Sequence, residues 1–143
     1  METKEQTSLR FHGISIIDLH FTSLQVYSPN VENKISLDIR PKVLYPKDSN
    51  LSFKILMEIS LEAKDYFDLN FFAVGSFDMA GEVIEEIKRN FVNVNAPAIM
   101  FPYIRSFIST LTSNLGLPTG TIIIPPQFLT GNLPEAIETD SAK

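Results

Sequence analysis

Three glutamates and two histidines are the side chains of this sequence that could do acid–base chemistry. Glu82, Glu85 and Glu86 stand close together, and paired carboxylates can divide the roles of general acid and general base. They fall on one side of a short helical pattern, opposite its apolar residues, which is typical of a solvated helix face. His12 and His20, the only histidines, occur in strand-like stretches with no cluster of carboxylates beside either. We interpret both as structural residues, because a metal site needs several converging ligands.

The sequence lacks the other signatures of catalysis. It contains no cysteine, which excludes disulfides, thiolate chemistry and cysteine-ligated zinc. It has no GxSxG or HExxH motif, and Gly75 and Gly81 are too far apart for a dinucleotide-binding turn. Arg105, near Tyr103, could bind an anion but is interpreted as an ion-pair partner at a surface or an interface. The sequence therefore predicts a protein that is not an enzyme and holds no metal.

Composition and charge indicate a single packed, acidic domain. Hydrophobic residues make up 44% and charged residues 20% of the 143 residues, which is typical of globular proteins. The net charge of −5 argues against the basic surface that nucleic acids require. The N-terminus, METKEQTSLR, is polar, and no apolar run approaches the length of a membrane span. The sequence thus predicts a cytoplasmic protein that does not insert into a membrane.

Alternating hydrophobicity predicts the sheet that must position any functional side chains. Residues 51–63 alternate apolar and polar side chains, with Leu56 as the exception, and predict a long antiparallel strand with one buried face. Residues 35–40 repeat the pattern and end at Pro41, and the turn residues between the two stretches predict a hairpin. Residues 14–27 keep strand composition but change phase twice, which predicts bulges or two strand segments.

The pattern changes from strands to helices in the second half of the chain. Residues 66–77 predict a strand with apolar residues on both faces, so helices would cover one face and a second copy of the sheet the other. Residues 82–89 predict a short amphipathic helix, residues 90–97 an irregular connection, and a longer helix is expected to begin near Pro102. Strands followed by helices predict an α+β fold, with helices on one side of an antiparallel sheet and assembly through the sheet.

One long motif and several short ones resemble a known family. Residues 97–105, PAIMFPYIR, resemble the P-x-I-L-F-P-Y-x-R motif that opens the first helix in the SecB family of export chaperones. Residues 75–81 are similar to the family's G-x-F-x-I-x-G segment, and residues 28–30 to its A-P-N block. Residues 117–128 carry pieces of its F-P…A-P…F tail. The blocks occur in the family's order and spread over residues 9–130.

The resemblance implies both an architecture and a function. The expected fold is an antiparallel sheet of about four strands with helices on one side, assembled as a homotetramer that is a dimer of dimers. The expected function is that of an ATP-independent holdase, which keeps polypeptides unfolded for export and needs no nucleotide or other cofactor. Residues 9–130 would form the chaperone domain, residues 1–8 a flexible N-terminus and residues 131–143 a polar, frayed C-terminal tail.

The same resemblance assigns two sets of residues. Client segments in such proteins lie extended in apolar grooves between sheet, crossing loop and helices, where burial of apolar surface binds them with little sequence preference. The expected groove residues here are Ile35, Leu37, Ile39, Phe53, Ile55, Phe128, Leu129 and Leu133. The expected oligomer interface consists of Leu69, Phe71, Ala73, Ile104 and Phe107.

Two departures from the family pattern bear on the partners. The family docks its translocation motor, the SecA ATPase, on acidic positions that fall on Ser23, Tyr27 and Asn70 here, and none of these is acidic. Gly131 and Pro134 interrupt the second helix that the resemblance implies, and a proline inside a helix costs about 3 kcal/mol. The sequence therefore leaves a SecA-type motor open as a partner and predicts a shortened C-terminal helix.

Two alternatives to a general export chaperone stay open. A SecB-like chaperone dedicated to one partner, such as the antitoxin of a toxin–antitoxin system, would need a client groove but not the motor. A scaffold oligomer without clients would use its second apolar face entirely for self-assembly. Exposed apolar surface on the native oligomer separates the two classes, because a client groove is open and a sealed interface is not.

Overall fold

The computed structural model of the chain describes residues 7–24, 35–47, 51–63, 66–114 and 133–137. Within these residues one sheet and one long helical segment form the fold. Its elements are β1 (Ser8–Ser23), β2 (Ile35–Tyr45), β3 (Ser52–Ala63), β4 (Phe67–Ala80), α1 (Glu85–Asn90), a π turn (Phe91–Asn95), α2 (Ala96–Ser113) and β5 (Glu135–Ile137). The strand order is β1-β4-β3-β2-β5, with β1 to β4 antiparallel and β5 parallel to β2. The predicted α+β fold, with four antiparallel strands and helices on one side, is confirmed.

The alternation in β3 and β4 separates the two faces of the sheet. Phe53 lies opposite Phe77, Met57 opposite Ala73 and Leu61 opposite Leu69, and all six side chains are at most 2% exposed. These residues face the helices and form the centre of the core. The intervening side chains lie on what we call the outer face, where Phe72 and Val74 are only partly buried. The strand predicted over residues 51–63 is confirmed as β3, and β4 carries apolar residues on both faces as expected.

Two bulges in β1 account for its changes of hydrophobic phase. Two residues of β1 lie opposite one residue of β4 between residues 11 and 14, and again between residues 17 and 20. Gly13 and Asp18, one in each bulge, have positive φ angles of 116° and 51°. Each extra residue reverses the alternation, so that apolar residues before, between and after the bulges all pack towards the core. The bulges predicted from the phase slips are therefore confirmed, within one continuous strand.

The helical segment begins much earlier than the sequence predicts. Residues 90–97 are not an irregular connection, because the π turn joins α1 to α2, and Pro102 lies inside α2 instead of opening it. In the π turn the N–H of Ala96 donates to the carbonyl of Phe91, and the following residue, Pro97, has no N–H to place. The ring of Pro102 points away from the core into solvent. Packing of α2 on the sheet outweighs its missing hydrogen bond.

Close approach between α2 and the sheet depends on Gly75. A Cβ atom at this position would lie 2.7 Å from Sδ of Met100, closer than non-bonded atoms allow. Met100, Ile104 and Ile108 follow at helical spacing along the buried side of α2 and are fully buried. The ring of Phe107 meets that of Phe71 edge-on at 5.2 Å between centroids. The sheet and α2 thus form one core.

The C-terminal segment joins the sheet as a strand. The N–H of Val43 donates to the carbonyl of Pro134 at 2.9 Å, and Glu135–Ile137 then pair in parallel with the end of β2. Leu133 is 7% exposed and belongs to the core. This part of the region predicted as a polar tail is therefore held against the sheet, and it is a strand where the resemblance implied helix. Gly131 lies outside the described residues.

Candidate functional site

The edge of β2 carries a strip of apolar side chains on the helix-covered side of the sheet. Ile35, Leu37 and Ile39 form this surface, which we call the β2 strip, and they lie opposite Ala63, Leu61 and Ile59 of β3. Exposure falls along the strip, from 37% at Ile35 through a partly buried Leu37 to 7% at Ile39. Apolar surface thus remains open at one end of the edge and merges with the core at the other.

The structure separates the predicted groove residues into two groups. The residues of the β2 strip lie side by side, and Ile35 and Leu37 present apolar surface. Phe53 and Ile55 are 1% and 0% exposed, and Ile55 lies opposite Val43, away from the β2 strip. Leu133 packs into the core near the opposite end of β2. Phe128 and Leu129 lie outside the described residues.

A cavity of about 350 Å³ lies beyond the β2 strip, where β2, β5 and α1 meet. It has both charged and apolar walls. Its lining residues are Val43, Tyr45, Glu85, Lys88, Arg89, Val92, Asn93, Leu133 and Glu135. Of the three glutamates weighed as acid–base groups, Glu85 lines this cavity, whereas Glu82 and Glu86 lie on the exposed side of the chain around α1.

Asn93 ties the C-terminal segment to the π turn. Its side-chain amide donates to the carbonyl of Arg89 at 3.0 Å, and its side-chain oxygen accepts from the N–H of Leu133 at 2.6 Å. The amide is thereby held at both ends, which orients it towards β5. No local spacing in the sequence signals this contact, because the partner of Asn93 is forty residues further along the chain.

Tyr45 occupies one wall of the cavity in an unusual electrostatic setting. Nζ of Lys88 lies 4.8 Å from the centroid of its ring, in a cation–π contact. Burial raises the pKa of the Tyr45 phenol above its ordinary value, and the nearby carboxylates of Glu135 and Glu85 raise it further. The phenol therefore stays protonated at neutral pH.

The raised pKa of Tyr45 predicts a loss of stability at alkaline pH. The folded state holds the phenolic proton more tightly than the unfolded state, whose pKa is about 10. The stabilisation is thus complete below pH of about 10 and is lost as the pH rises through the higher pKa of the folded protein. We expect urea denaturation to show this decline in the wild type relative to Tyr45→Phe. A phenolic absorbance difference between the two proteins that titrates at or below pH of about 10 would contradict it.

Two of the three positions at which the resemblance implies motor docking lie in the described residues. Asn70 is exposed on the outer face between His20 and Ser60. Ser23 pairs with Phe67 at the far end of β1, and Tyr27 lies outside the described residues. The acidic residues of this face include Asp38 and Glu58, and both contact Arg40, at 2.9 and 3.7 Å. The two described positions, Ser23 and Asn70, thus lie on different residue pairs of the β1–β4 ladder, and neither is acidic.

Each histidine of β1 pairs with one aspartate. His12 contacts Asp78 across the β1–β4 pairing, and Nε2 of His20 lies 2.8 Å from the carboxylate of Asp18. The His20–Asp18 pair is largely exposed, and the His12–Asp78 pair is partly exposed. Within the described part of the chain no three metal-ligating side chains come together. The two histidines thus lie at different bulges of β1 and form separate ion pairs.

The residues predicted as an oligomer interface lie mostly inside the protomer. Leu69, Phe71, Ala73 and Ile104 are at most 1% exposed, and Phe107 is partly buried. Their side chains fill the space between β4 and α2, so their role in an interface stays a prediction. The surfaces that these two elements do present are the outer face of the sheet and the solvent side of α2, where Tyr103 is 50% exposed.

The chain is similar to one protein family, to one relative in sequence and to one solved structure. The family described as "Preprotein translocase subunit SecB" matches residues 3–124. An uncharacterized protein of Methanocaldococcus jannaschii is 28% identical over an alignment that covers 100% of this chain and 96% of the relative. A SecB-like chaperone of Mycobacterium tuberculosis, solved in complex with a ChAD peptide from the HigA1 antitoxin, has a similar fold, with a TM-score of 0.65 and 20% identity. That match covers 82% of this chain and 90% of the mycobacterial one. No helix in the described residues is long and apolar enough to cross a membrane.

Proposed function

This chain belongs to the SecB family, and from that premise we propose that it is an ATP-independent holdase for unfolded polypeptides. The observation that carries the proposal is the β2 strip, because it leaves apolar side chains open at the edge of a sheet whose central strands, β3 and β4, are buried on that face. A surface of this kind binds extended apolar segments of varied sequence. No catalytic group takes part.

Burial of apolar surface supplies the binding energy in this proposal. Each Å² of apolar surface removed from water contributes about 25 cal/mol before the cost of ordering the client. One strip therefore binds a short segment weakly, and strong retention of a client requires several sites acting on one chain. Assembly as a homotetramer would provide them, and the apolar residues of the outer face and the open side of α2 are available to form it.

The cellular role that we propose is protein export from the cytoplasm. Family membership and the description of its members as a preprotein translocase subunit support this role. An acidic docking site for a SecA-type motor would have to use residues other than Ser23, Tyr27 and Asn70, since none of these is acidic.

A chaperone dedicated to one partner is the second candidate function. It is favoured by the missing acidic positions and by the similarity to the mycobacterial SecB-like chaperone, which was solved with an antitoxin peptide. The partner would then be an antitoxin or another polypeptide with an exposed apolar segment. A scaffold oligomer without clients is a third possibility, and it requires the β2 strip to be sealed by another subunit.

The deciding experiment measures suppression of aggregation. A denatured, unrelated protein is diluted into buffer with and without this protein, in the absence of nucleotide, and light scattering is followed. A general holdase suppresses scattering at about one oligomer per client molecule, and equal masses of a folded, non-binding protein serve as the control. An intact oligomer that leaves scattering unchanged contradicts a general holdase. Binding of an apolar dye to that oligomer would then favour a dedicated chaperone over a sealed scaffold.

A further inference from the structure

The cavity between β2, β5 and α1 has an apolar floor and a charged mouth. Val43, Val92 and Leu133 line it and are 1%, 3% and 7% exposed, so they form its deep end. The charged lining residues are less buried and form the mouth, and they are Glu85, Lys88, Arg89 and Glu135. The volume of about 350 Å³ lies at the lower end of the range of ligand pockets, about 300 to 1,000 Å³. The cavity therefore fits a small molecule that has both apolar and charged parts.

The charged groups of the mouth are not paired with one another. Glu85 precedes Lys88 by three residues and Arg89 by four, a spacing at which side chains on a helix form ion pairs. Neither pair forms, since the ion pairs of the described residues all lie in the sheet. The ammonium group of Lys88 lies over the ring of Tyr45 instead. Two cationic and two anionic side chains of the described residues thus remain available to a ligand.

Two neutral side chains add directed polar groups to the cavity. The amide of Asn93 has two N–H donors and, within the described residues, uses one of them on the carbonyl of Arg89, so the second can bind an acceptor. Burial raises the pKa of the Tyr45 phenol and the carboxylates of Glu135 and Glu85 raise it further, which places both carboxylates near the phenol. Asn93 also belongs to the π turn, and such turns are frequent at functional sites. Donors for an anion and acceptors for a cation therefore occur in one cavity.

We propose that this cavity binds a small zwitterion of the amino acid or dipeptide class. The carboxylate of the ligand would bind Lys88, Arg89 and the second N–H of Asn93. Its ammonium group would bind Glu85 and Glu135, and its apolar side chain would cover the buried floor. A purely anionic ligand would face the two carboxylates of the mouth, and a purely cationic ligand the two cations. Only a molecule with both charges satisfies all four.

A bound zwitterion would connect β5 to α1. Glu135 belongs to β5 and Lys88 to α1, so the ligand would contact both elements. The N–H of Val43 donates to the carbonyl of Pro134 at 2.9 Å, directly before β5. Opening of this bond would therefore require release of the ligand. The site is independent of the holdase function, because its lining lies beyond the β2 strip and its ligand is not an unfolded chain.

Isothermal titration calorimetry on the full-length protein tests the ligand class. The probes are free L-leucine and L-leucyl-L-leucine, and the matched controls are the same dipeptide with an acetylated amino group or an amidated carboxyl group. We expect the dipeptide to bind saturably and each blocked form to bind at least about tenfold more weakly, because each has lost one charged group. If neither zwitterion binds with a Kd of about 1 mM or tighter, or if the blocked forms bind equally well, the proposal is wrong.

A pair of variants tests the location. Lys88→Gln removes a cation of the mouth, whereas Lys42→Gln removes the same charge from an exposed residue of β2 that does not line the cavity. We expect Lys88→Gln to bind the dipeptide about tenfold more weakly and Lys42→Gln to bind it like the wild type. Equal affinities of the two variants would place the ligand elsewhere. If the free zwitterions do not bind but Lys88→Gln weakens the binding of a denatured protein, the cavity takes the terminus of a polypeptide, and the small-molecule site is wrong.

Amide hydrogen exchange on the unmodified protein gives a measurement that needs no variant. With the dipeptide at about ten times its Kd, we expect exchange at Val43 to slow by about tenfold. The amide of Leu24, which donates to the carbonyl of Tyr66 at the other end of the sheet, is the internal control and should not change. Dipeptide binding that leaves exchange at Val43 unchanged would contradict a ligand that connects β5 to α1. Should Lys88→Gln fail to fold, this experiment decides the location.

Discussion

Leu37→Asp is expected to weaken the binding of unfolded polypeptide by at least about tenfold, which corresponds to about 1.4 kcal/mol. Leu37 lies in the middle of the β2 strip, where a client segment would cover it. An aspartate at this position has to lose its hydration when the client binds, and no cationic residue lies beside it in β2 or across from it in β3 to compensate. The affinity is measured by titrating a labelled, denatured protein. The oligomeric state is followed in parallel.

The matched control for this variant is Ser36→Asp. It adds the same charge at the neighbouring residue, but on the outer face of β2. We expect it to bind client with nearly the wild-type affinity. If Leu37→Asp leaves client binding unchanged, the β2 strip is not the client site. If it dissociates the oligomer, this face is an interface between subunits.

Phe71→Ala is expected to lower the free energy of unfolding by about 3 to 5 kcal/mol. Phe71 is 1% exposed, and its ring packs edge-on against that of Phe107 of α2. Truncation leaves a cavity between sheet and helix that the surrounding side chains fill only in part. Urea denaturation at a fixed protein concentration measures the loss. The fixed concentration is needed because subunit association adds to the apparent stability.

The neighbouring residue provides the comparison for this variant. Phe72 points to the outer face and is partly buried, so Phe72→Ala should cost about 1 kcal/mol or less in the protomer. A larger effect on the oligomeric state than that of Phe71→Ala would place an intersubunit contact on the outer face. Should Phe71→Ala dissociate the oligomer while the protomer keeps its stability, Phe71 belongs to an interface, as the sequence predicted.

The strands could be predicted because their signal is local. In β3 the side chains alternate between a buried and an open face, and this period of two is visible in thirteen residues of sequence. The bulges of β1 were predictable for the same reason, since one inserted residue reverses the alternation at a definite point.

Gly75 belongs to a motif that resembles the family's, but only the approach of Met100 explains why a glycine stands there. A Cβ atom at this position would lie 2.7 Å from Sδ of Met100.

The helical segment was predicted less well because packing decided it. Proline and asparagine between residues 90 and 102 are typical of breaks in a helix, and the sequence reads there as an irregular connection. In the folded chain a π turn precedes Pro97, and Pro102 faces solvent, so both rings fit within one continuous helical segment. The burial of Met100, Ile104 and Ile108 on the sheet provides the stabilisation that the local sequence lacks.

By itself, the sequence determined that four strands precede the helices, which face of β3 is buried, and the family, through motifs spread over most of the chain. Only the tertiary structure decided that Leu69 and Phe71 lie in the protomer core, that Asn93 holds Leu133, and that β5 joins the edge of β2. The physical reason is the range of the interactions. Periodicity and turn chemistry act between near neighbours along the chain, whereas burial and edge pairing depend on which distant segments meet.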